Sequence, residues 1–287
     1  MTSAGSSRPY EGDFAAWSGG GVFIGRGGGS AAIAPHSHYA IQIAIGMPSG
    51  LRVQFGRCGE WELCAAALIP SRATHSIDVT ECGSSAVIFV EPETAEGRAL
   101  SARLGGTPQC IDTSALESSA ARLEEAWRVD QTSQAVERAC RALVRELAGT
   151  AAAPEPSDTR VLSAIAHIVA RIDDAPSLEE VASLVNLSPS RFRHLFVAET
   201  GMPMRTYVLW RRLLHVWSLL MRGETLTSAA HAAGFADSAH LSRTARAMFG
   251  LPPSVLQMKG PLSARMREAE ATGRSASGGT RRHPECP

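Results

Sequence analysis

Ser177-Leu-Glu-Glu-Val-Ala-Ser-Leu-Val-Asn-Leu-Ser-Pro-Ser-Arg-Phe-Arg-His-Leu-Phe196 decides the fold of the C-terminal third. Ser177 and Glu180 have the spacing of a capping box, in which the hydroxyl accepts from the N3 amide and the carboxylate reaches back to the cap. The helix behind them buries Leu178, Val181, Ala182 and Val185, and Asn186-Leu187 ends it. Ser188-Pro189 opens a second helix, with proline at the position where its missing amide costs nothing. That helix buries Phe192, Leu195 and Phe196 and stops at Gly201, a residue suited to a left-handed C-terminal cap. Two short helices around a tight turn, with the small Ala182 inside the first, are helix-turn-helix patterning.

The pattern occurs twice. At a shift of 48 residues Ala182 meets Ala230 and Leu187 meets Phe235. At a shift of 49, Ser188 meets Asp237, Phe192 meets Leu241, Gly201 meets Gly250 and Pro203 meets Pro252. Such self-similarity predicts two related structural units. Between them Tyr207, Trp210, Leu213, Leu214, Trp217, Leu220 and Met221 mark one helix from about 204 to 222, roughly 28 Å long at 1.5 Å per residue. A rod of that length suits two reading helices about one DNA turn, ~34 Å, apart. The first reading helix leaves Ser190, Arg191, Arg193 and His194 outside; the second leaves Ser238, His240, Ser242, Arg243 and Arg246. These side chains are hydrogen-bond donors to phosphates and base edges.

Residues 177–256 resemble the DNA-binding domain of AraC/XylS-type transcription regulators. The resemblance is carried by Ser177-Leu-Glu-Glu-Val-Ala182, Leu187-Ser-Pro-Ser-Arg-Phe192, Leu195-Phe196, Glu199-Thr-Gly201, Gly223-Glu224, Ala233-Gly-Phe235, His240-Leu-Ser-Arg243 and Phe249-Gly-Leu-Pro-Pro253. It implies that two recognition helices contact adjacent major-groove segments. Ala245 departs from the family, which has Phe there, and Leu256 stands in place of a common Tyr, so looser packing of the second unit is expected.

Residues 19–93 are rich in Gly, Ile and Val and read as short strands. In Tyr39-Ala-Ile-Gln-Ile-Ala-Ile45 the alternation places Ile41, Ile43 and Ile45 on one face. His36, His38 and Gln42 then share the other face, with Ala40 and Ala44 as small spacers. Pro35-His36-Ser-His38 with Gln42, and Pro70-Ser-Arg-Ala-Thr-His75, resemble the two motifs of cupin β-barrels and the sensor domains fused to this kind of DNA-binding unit. The resemblance implies a small-molecule effector bound near His36, His38, Gln42 and His75. It also implies a divalent metal as an optional cofactor, held by His36, His38 and His75; Gln42 stands at the position of the usual Glu, and a neutral amide is a poorer ligand than a carboxylate. Imidazoles suit zinc, nickel, iron or copper. A metal-free pocket lining is the alternative reading of the same residues.

Over 113–148 Leu116, Leu123, Ala126 and Trp127, then Val136, Cys140, Leu143, Val144 and Leu147, recur at helical spacing and predict two amphipathic helices, for dimerisation or for capping the barrel. The expected fold is therefore multidomain α+β: a cupin-like β-barrel with two following helices, then an all-α tandem helix-turn-helix. The expected boundaries are a flexible arm at 1–18, an effector-sensing domain at 19–111, the helical segment at 112–148, a Pro-bearing linker at 149–157, the DNA-binding domain at 158–260 and a disordered tail at 261–287. The patternless linker predicts that the C-terminal unit folds on its own.

Composition narrows the function. The 28 basic and 28 acidic side chains cancel over the chain. Over 158–260 there are 11 basic against 8 acidic residues, an excess of three. The first ten residues have no apolar core of a secretory signal, and no apolar run approaches a membrane span, so a cytoplasmic place and no membrane partner are expected. The six cysteines (58, 64, 82, 110, 140 and 286) include no Cys-x-x-Cys pair and are expected to be reduced and small-hydrophobic in role. The expected function is sequence-specific transcription regulation with no catalytic residue. The expected partners are double-stranded promoter DNA and a small-molecule effector, with RNA polymerase and a second copy of the chain as further candidates. The competing reading is a cupin-type metal-dependent enzyme with a helical interaction module.

Overall fold

The computed structural model describes residues 10–26, 32–112, 116–149 and 157–277. In chain order its elements are β1 (Tyr10–Trp17), β2 (Gly20–Arg26), β3 (Ile33–His36), β4 (Ile41–Met47), β5 (Leu51–Phe55), β6 (Trp61–Cys64), β7 (Ala66–Ile69), β8 (His75–Asp78), β9 (Ser84–Val90), α1 (Ala95–Leu104), β10 (Gln109–Ile111), α2 (Glu117–Glu125) and α3 (Ser133–Ala148). There follow α4 (Thr159–Ala170), α5 (Leu178–Leu184), α6 (Pro189–Thr200), α7 (Met204–Met221), α8 (Leu226–Ala232), α9 (Ser238–Phe249), β11 (Leu256–Met258) and α10 (Pro261–Ser277). The N-terminal part is sheet-rich and the C-terminal part helical. A seven-stranded sheet runs β10-β7-β4-β9-β2-β1-β11, and a four-stranded one runs β3-β8-β5-β6.

The alternation in β4 holds only as geometry. Every residue of β4 is buried, because one face meets the four-stranded sheet and the other is covered by helices. The helical cover includes the 113–148 stripe: Leu116, Leu123, Trp127, Val136, Leu143 and Leu147 are all buried inside the one chain. Of the two roles expected for that stripe, packing within the chain is the one the structure displays.

The tandem repeat is reproduced bond for bond. In the first unit the turn residue Asn186 is left-handed (φ 55°); in the second, Gly234 is (φ 75°). Leu187 N donates to Ala182 O, and Phe235 N to Ala230 O, both at 2.9 Å. Gly201 and Gly250 cap α6 and α9 in the left-handed region. The hydroxyl of Ser188 and the carboxylate of Asp237 accept from Arg191 N and His240 N at the helix starts.

Four expectations need correction. Residues 10–17 are not a loose arm but β1, hydrogen-bonded to β2 and, in parallel, to β11. The C-terminal part is thus not all-α, because Leu256–Met258 adds an edge strand to the larger sheet. Residues 261–277 are helical rather than a disordered tail. The N-terminus of α10 is capped by Asp13, whose carboxylate accepts from Leu262 N (2.9 Å), Ser263 N (3.0 Å) and Trp127 Nε1 (2.7 Å). Gly260 must be glycine there, since a Cβ would collide with the Asp13 carboxylate. A cap so distant in the chain leaves no local trace in sequence. Finally, Cys64 and Cys110 form a disulfide, brought together where β10 pairs with β7, while Cys82 and Cys140 are buried free thiols and Cys58 is exposed. The rest of the arm, linker residues 150–156, the tail beyond 277 and Cys286 lie outside the described residues.

The two parts of the chain are packed together, not joined loosely. On α7, Trp210 and Trp217 are fully buried. Trp217 meets Phe23 edge-on, and Phe249 sits among Phe23, Phe89, Trp210 and Trp217. An isolated 158–261 fragment would expose these aromatics to water, which is why a patternless linker is a poor guide to independence here.

Candidate functional site

Two sites emerge, one on each side of this interface. On the C-terminal side α6 presents Ser190, Arg191, Arg193 and His194, all exposed, because Phe192 and Phe196 occupy the buried face. On α9, Leu241, Ala245 and Phe249 are buried. Arg243 and Arg246 are exposed, and Ser238, His240 and Ser242 line the same outer side of the helix. His240 is held edge-on against Phe235, at 5.3 Å between ring centroids. Among the described residues none of Arg191, Arg193, Arg243 and Arg246 forms an ion pair or a side-chain hydrogen bond. Four uncommitted guanidiniums on two capped helices are therefore available to an anionic partner, and bidentate contact with phosphate or guanine is what their geometry suits. Burial of Ala245 answers the expected loosening in part: the helix seats fully despite its small side chain.

On the N-terminal side β3, β8 and the turn into β4 bring His36, His38 and His75 together. A ligating nitrogen from each lies within 4.8 Å of the others. All three are buried, and the antiparallel pairing places His36 directly opposite His75. Each Nδ1 contacts a carbonyl two residues from it: Ala34 O at 2.8 Å, Ala40 O at 2.9 Å and Ala73 O at 2.9 Å. Those contacts fix the rings and place the protons on Nδ1, leaving Nε2 lone pairs. Burial is the main force on their titration. It lowers His36, takes His38 to about 4 and takes His75 to about 2, with the neighbouring imidazoles adding to the last two shifts. The cluster is therefore neutral near pH 7.

Gln42 comes to the same place from β4, its Oε1 2.7 Å from His38 Nε2. A neutral His38 that donates to Ala40 has only a lone pair at Nε2. Turning the Gln42 amide to present its NH2 group satisfies both, and leaves an amide oxygen free in a buried site. His75 Nε2 is also buried without a partner. Buried polar atoms of this kind are rare unless something satisfies them.

His36 and Gln42 also line a half-open cleft with about 90 Å³ of enclosed space. The cleft is mainly apolar, with Phe23, Ile24 and Val87 from the sheets facing Phe249, Leu251 and Leu256 from the C-terminal part. The sequence pointed to the histidines and to Gln42 but not to this second wall, because Phe249 entered only as part of the helix-turn-helix resemblance and Leu256 only as a departure from it.

A family model described as a helix-turn-helix domain matches residues 181–259. Regulatory protein PocR of Salmonella typhimurium is 28% identical over 111 residues, which are 38% of this chain and 37% of PocR. The match thus takes in little more than a third of that relative. An apo ToxT variant from Vibrio cholerae strain SCE256 is similar in fold at a TM-score of 0.56 and 11% identity, covering 82% of this chain and 96% of ToxT. A transcriptional regulator from Chromobacterium violaceum, described as AraC-type, is 23% identical over 39% of this chain and 93% of its own, with a TM-score of 0.32. The class is a helix-turn-helix protein with a sheet-rich N-terminal domain. Residues 181–259 carry the helix-turn-helix domain, and the likeness to PocR extends over little more than a third of the chain. No helix among the described residues is long and apolar enough to cross a membrane.

Proposed function

We propose that the chain is a sequence-specific DNA-binding transcription regulator whose cupin-like N-terminal domain senses a small molecule, acting in the cytoplasm. The observation that carries the reading is the pair of capped helices, α6 and α9, each displaying unpaired arginines. Ser190, Arg191, Arg193, His194, Ser238, His240, Ser242, Arg243 and Arg246 form the DNA-contacting set. The quadruple substitution of Arg191, Arg193, Arg243 and Arg246 by Ala should abolish retention of duplex DNA at a fixed salt concentration, since phosphate contacts supply most of the affinity. Retention unchanged in a folded quadruple variant would remove the reading.

The effector site is His36, His38, Gln42 and His75 with the cleft beside them, and its chemistry favours a largely apolar molecule carrying hydrogen-bonding atoms at its inner end. The residues also fit a divalent ion. Three neutral, pre-oriented imidazoles are a competent ligand set, and the amide of Gln42 adds no charge, so the ion's two positive charges would stay uncompensated and its binding would be weaker than in a His3Glu site. Zinc added to the chain should bind at one equivalent, and His38→Ala should remove that binding together with the response of DNA affinity to the effector. Full zinc binding by His38→Ala would place the ion elsewhere. The enzyme reading is less well supported, because Gln42 brings a neutral amide to His38 where the metal-dependent reading calls for a carboxylate.

A further inference from the structure

Just past the end of β9 come Glu91 and, two residues on, Glu93; they are 2% and 3% exposed. Both face α7 of the DNA-binding part. Glu91 Oε1 accepts from Arg211 Nη1 at 2.6 Å and from Trp210 Nε1 at 3.2 Å. Glu93 has a different set of neighbours. Tyr39 OH, from the turn into β4, donates to its Oε2, while Oε1 has no partner. Tyr207 of α7 stands edge-on against Tyr39, its hydroxyl turned towards the Glu93 carboxyl. Arg98 of α1 and Ser157 turn to the backbone carbonyl of Glu93, at 2.6 and 2.9 Å, and not to its carboxylate.

Two carboxyl groups are thus buried in one interface; the Arg211 guanidinium is committed to the Glu91 carboxylate, and the Arg98 guanidinium to the Glu93 carbonyl and Ser157 Oγ, so neither is bonded to the Glu93 carboxylate. A second buried negative charge without a cation is costly, and the ordinary remedy is a proton. We propose that Glu93 is a proton-binding switch between the two domains: the docked arrangement holds one proton on this carboxyl pair, and losing it weakens docking of the DNA-binding part on the sensor. The proposal rests on the interface alone and holds whatever the DNA site or the effector proves to be.

Its direction follows from linkage. Burial, then repulsion from Glu91, raises Glu93 to about 7, whereas in water it would titrate at its ordinary value of 4.5. The docked form therefore binds the proton more tightly. Docking is strongest below the ordinary carboxylate range, weakens as pH rises towards 7, and levels off above it. Tyr39 and Tyr207 are held well above their usual range by burial and stay neutral throughout. Of the buried histidines, His38 at about 4 and His75 at about 2 titrate below this window, and burial lowers His36 from its ordinary value.

The amides of Lys259, Gly260, Leu262 and Ser263 report docking, because they donate to Gly12 O and to Asp13 across the interface. Hydrogen exchange at these amides in the full chain, corrected for intrinsic chemistry, should show an opening constant about tenfold larger at pH 8 than at pH 6. Glu93→Gln, which mimics the protonated form, should be flat at the low-pH level. Tyr39→Phe removes a bond that holds the Glu93 value down, so it should move the midpoint upward, which keeps the idea testable if the Gln variant fails to fold. An opening constant independent of pH in the wild type, a Gln variant with the wild-type slope, or a midpoint unmoved in Tyr39→Phe would each overturn the proposal.

Discussion

Glu91→Ala should destabilise the chain by up to about 3–5 kcal/mol, because it takes from buried Arg211 the carboxylate bonded to it and leaves only the unbonded Glu93 carboxyl nearby. The side chains are only 3% and 15% exposed, so water cannot take the carboxylate's place. Trp210 Nε1 loses its acceptor in the same step. Arg211 is held well above its ordinary range by the neighbouring Glu91 despite the opposing effect of burial, so it will not shed its charge to escape. Urea denaturation of Glu91→Ala, set beside an Arg211→Met, Glu91→Leu pair, separates the two contributions. The apolar pair is expected to recover most of the loss, since a buried ion pair is often replaceable by packed hydrophobes. A single variant within about 0.5 kcal/mol of wild type, on the order of a surface change, would mean that the two parts are not docked through this pair.

Arg193→Ala and Arg243→Ala should each cost about 1–3 kcal/mol of discrimination at one or two base pairs, the usual worth of a bidentate contact with guanine. Arg193 is exposed on α6 opposite Phe192 and Phe196; Arg243 is exposed on α9. Two features make the second unit the weaker reader. His240 is partly held by Phe235, and the far end of α9 is pressed on β3, where a Cβ at Gly250 would lie 2.7 Å from His36 Nδ1. Competition binding on single-base operator variants at fixed salt measures both effects. A loss spread evenly over all sequences would assign the arginine to phosphate instead.

Much of this was legible in the chain. The capping serines, the turn residue and the glycine stops of the two units depend on near neighbours in sequence, and each appeared where the spacing put it. His36, His38, Gln42 and His75 were also legible, because strand parity decides which residues share a face. What escaped depends on contacts that no local pattern records. Asp13 caps a helix 249 positions away, Cys110 meets Cys64 across a strand pairing, and Glu91 meets Arg211 across a domain interface. In each case the residue looks ordinary in its own neighbourhood. Trp210 and Trp217 show the same limit from the other side: helical periodicity announced that they are buried, but not that part of the surface covering them belongs to the other half of the molecule.

Selection of duplexes from a randomised library by the full-length chain, at one salt concentration, tests the central claim most directly. Two reading helices joined by α7, 18 residues and so roughly 27 Å long, should enrich two short segments about one helical turn apart, ~34 Å. Arg193→Ala should blur one of the two and leave the other. A library that emerges without any preferred sequence, or a single motif that neither Arg193→Ala nor Arg243→Ala alters, would contradict the account.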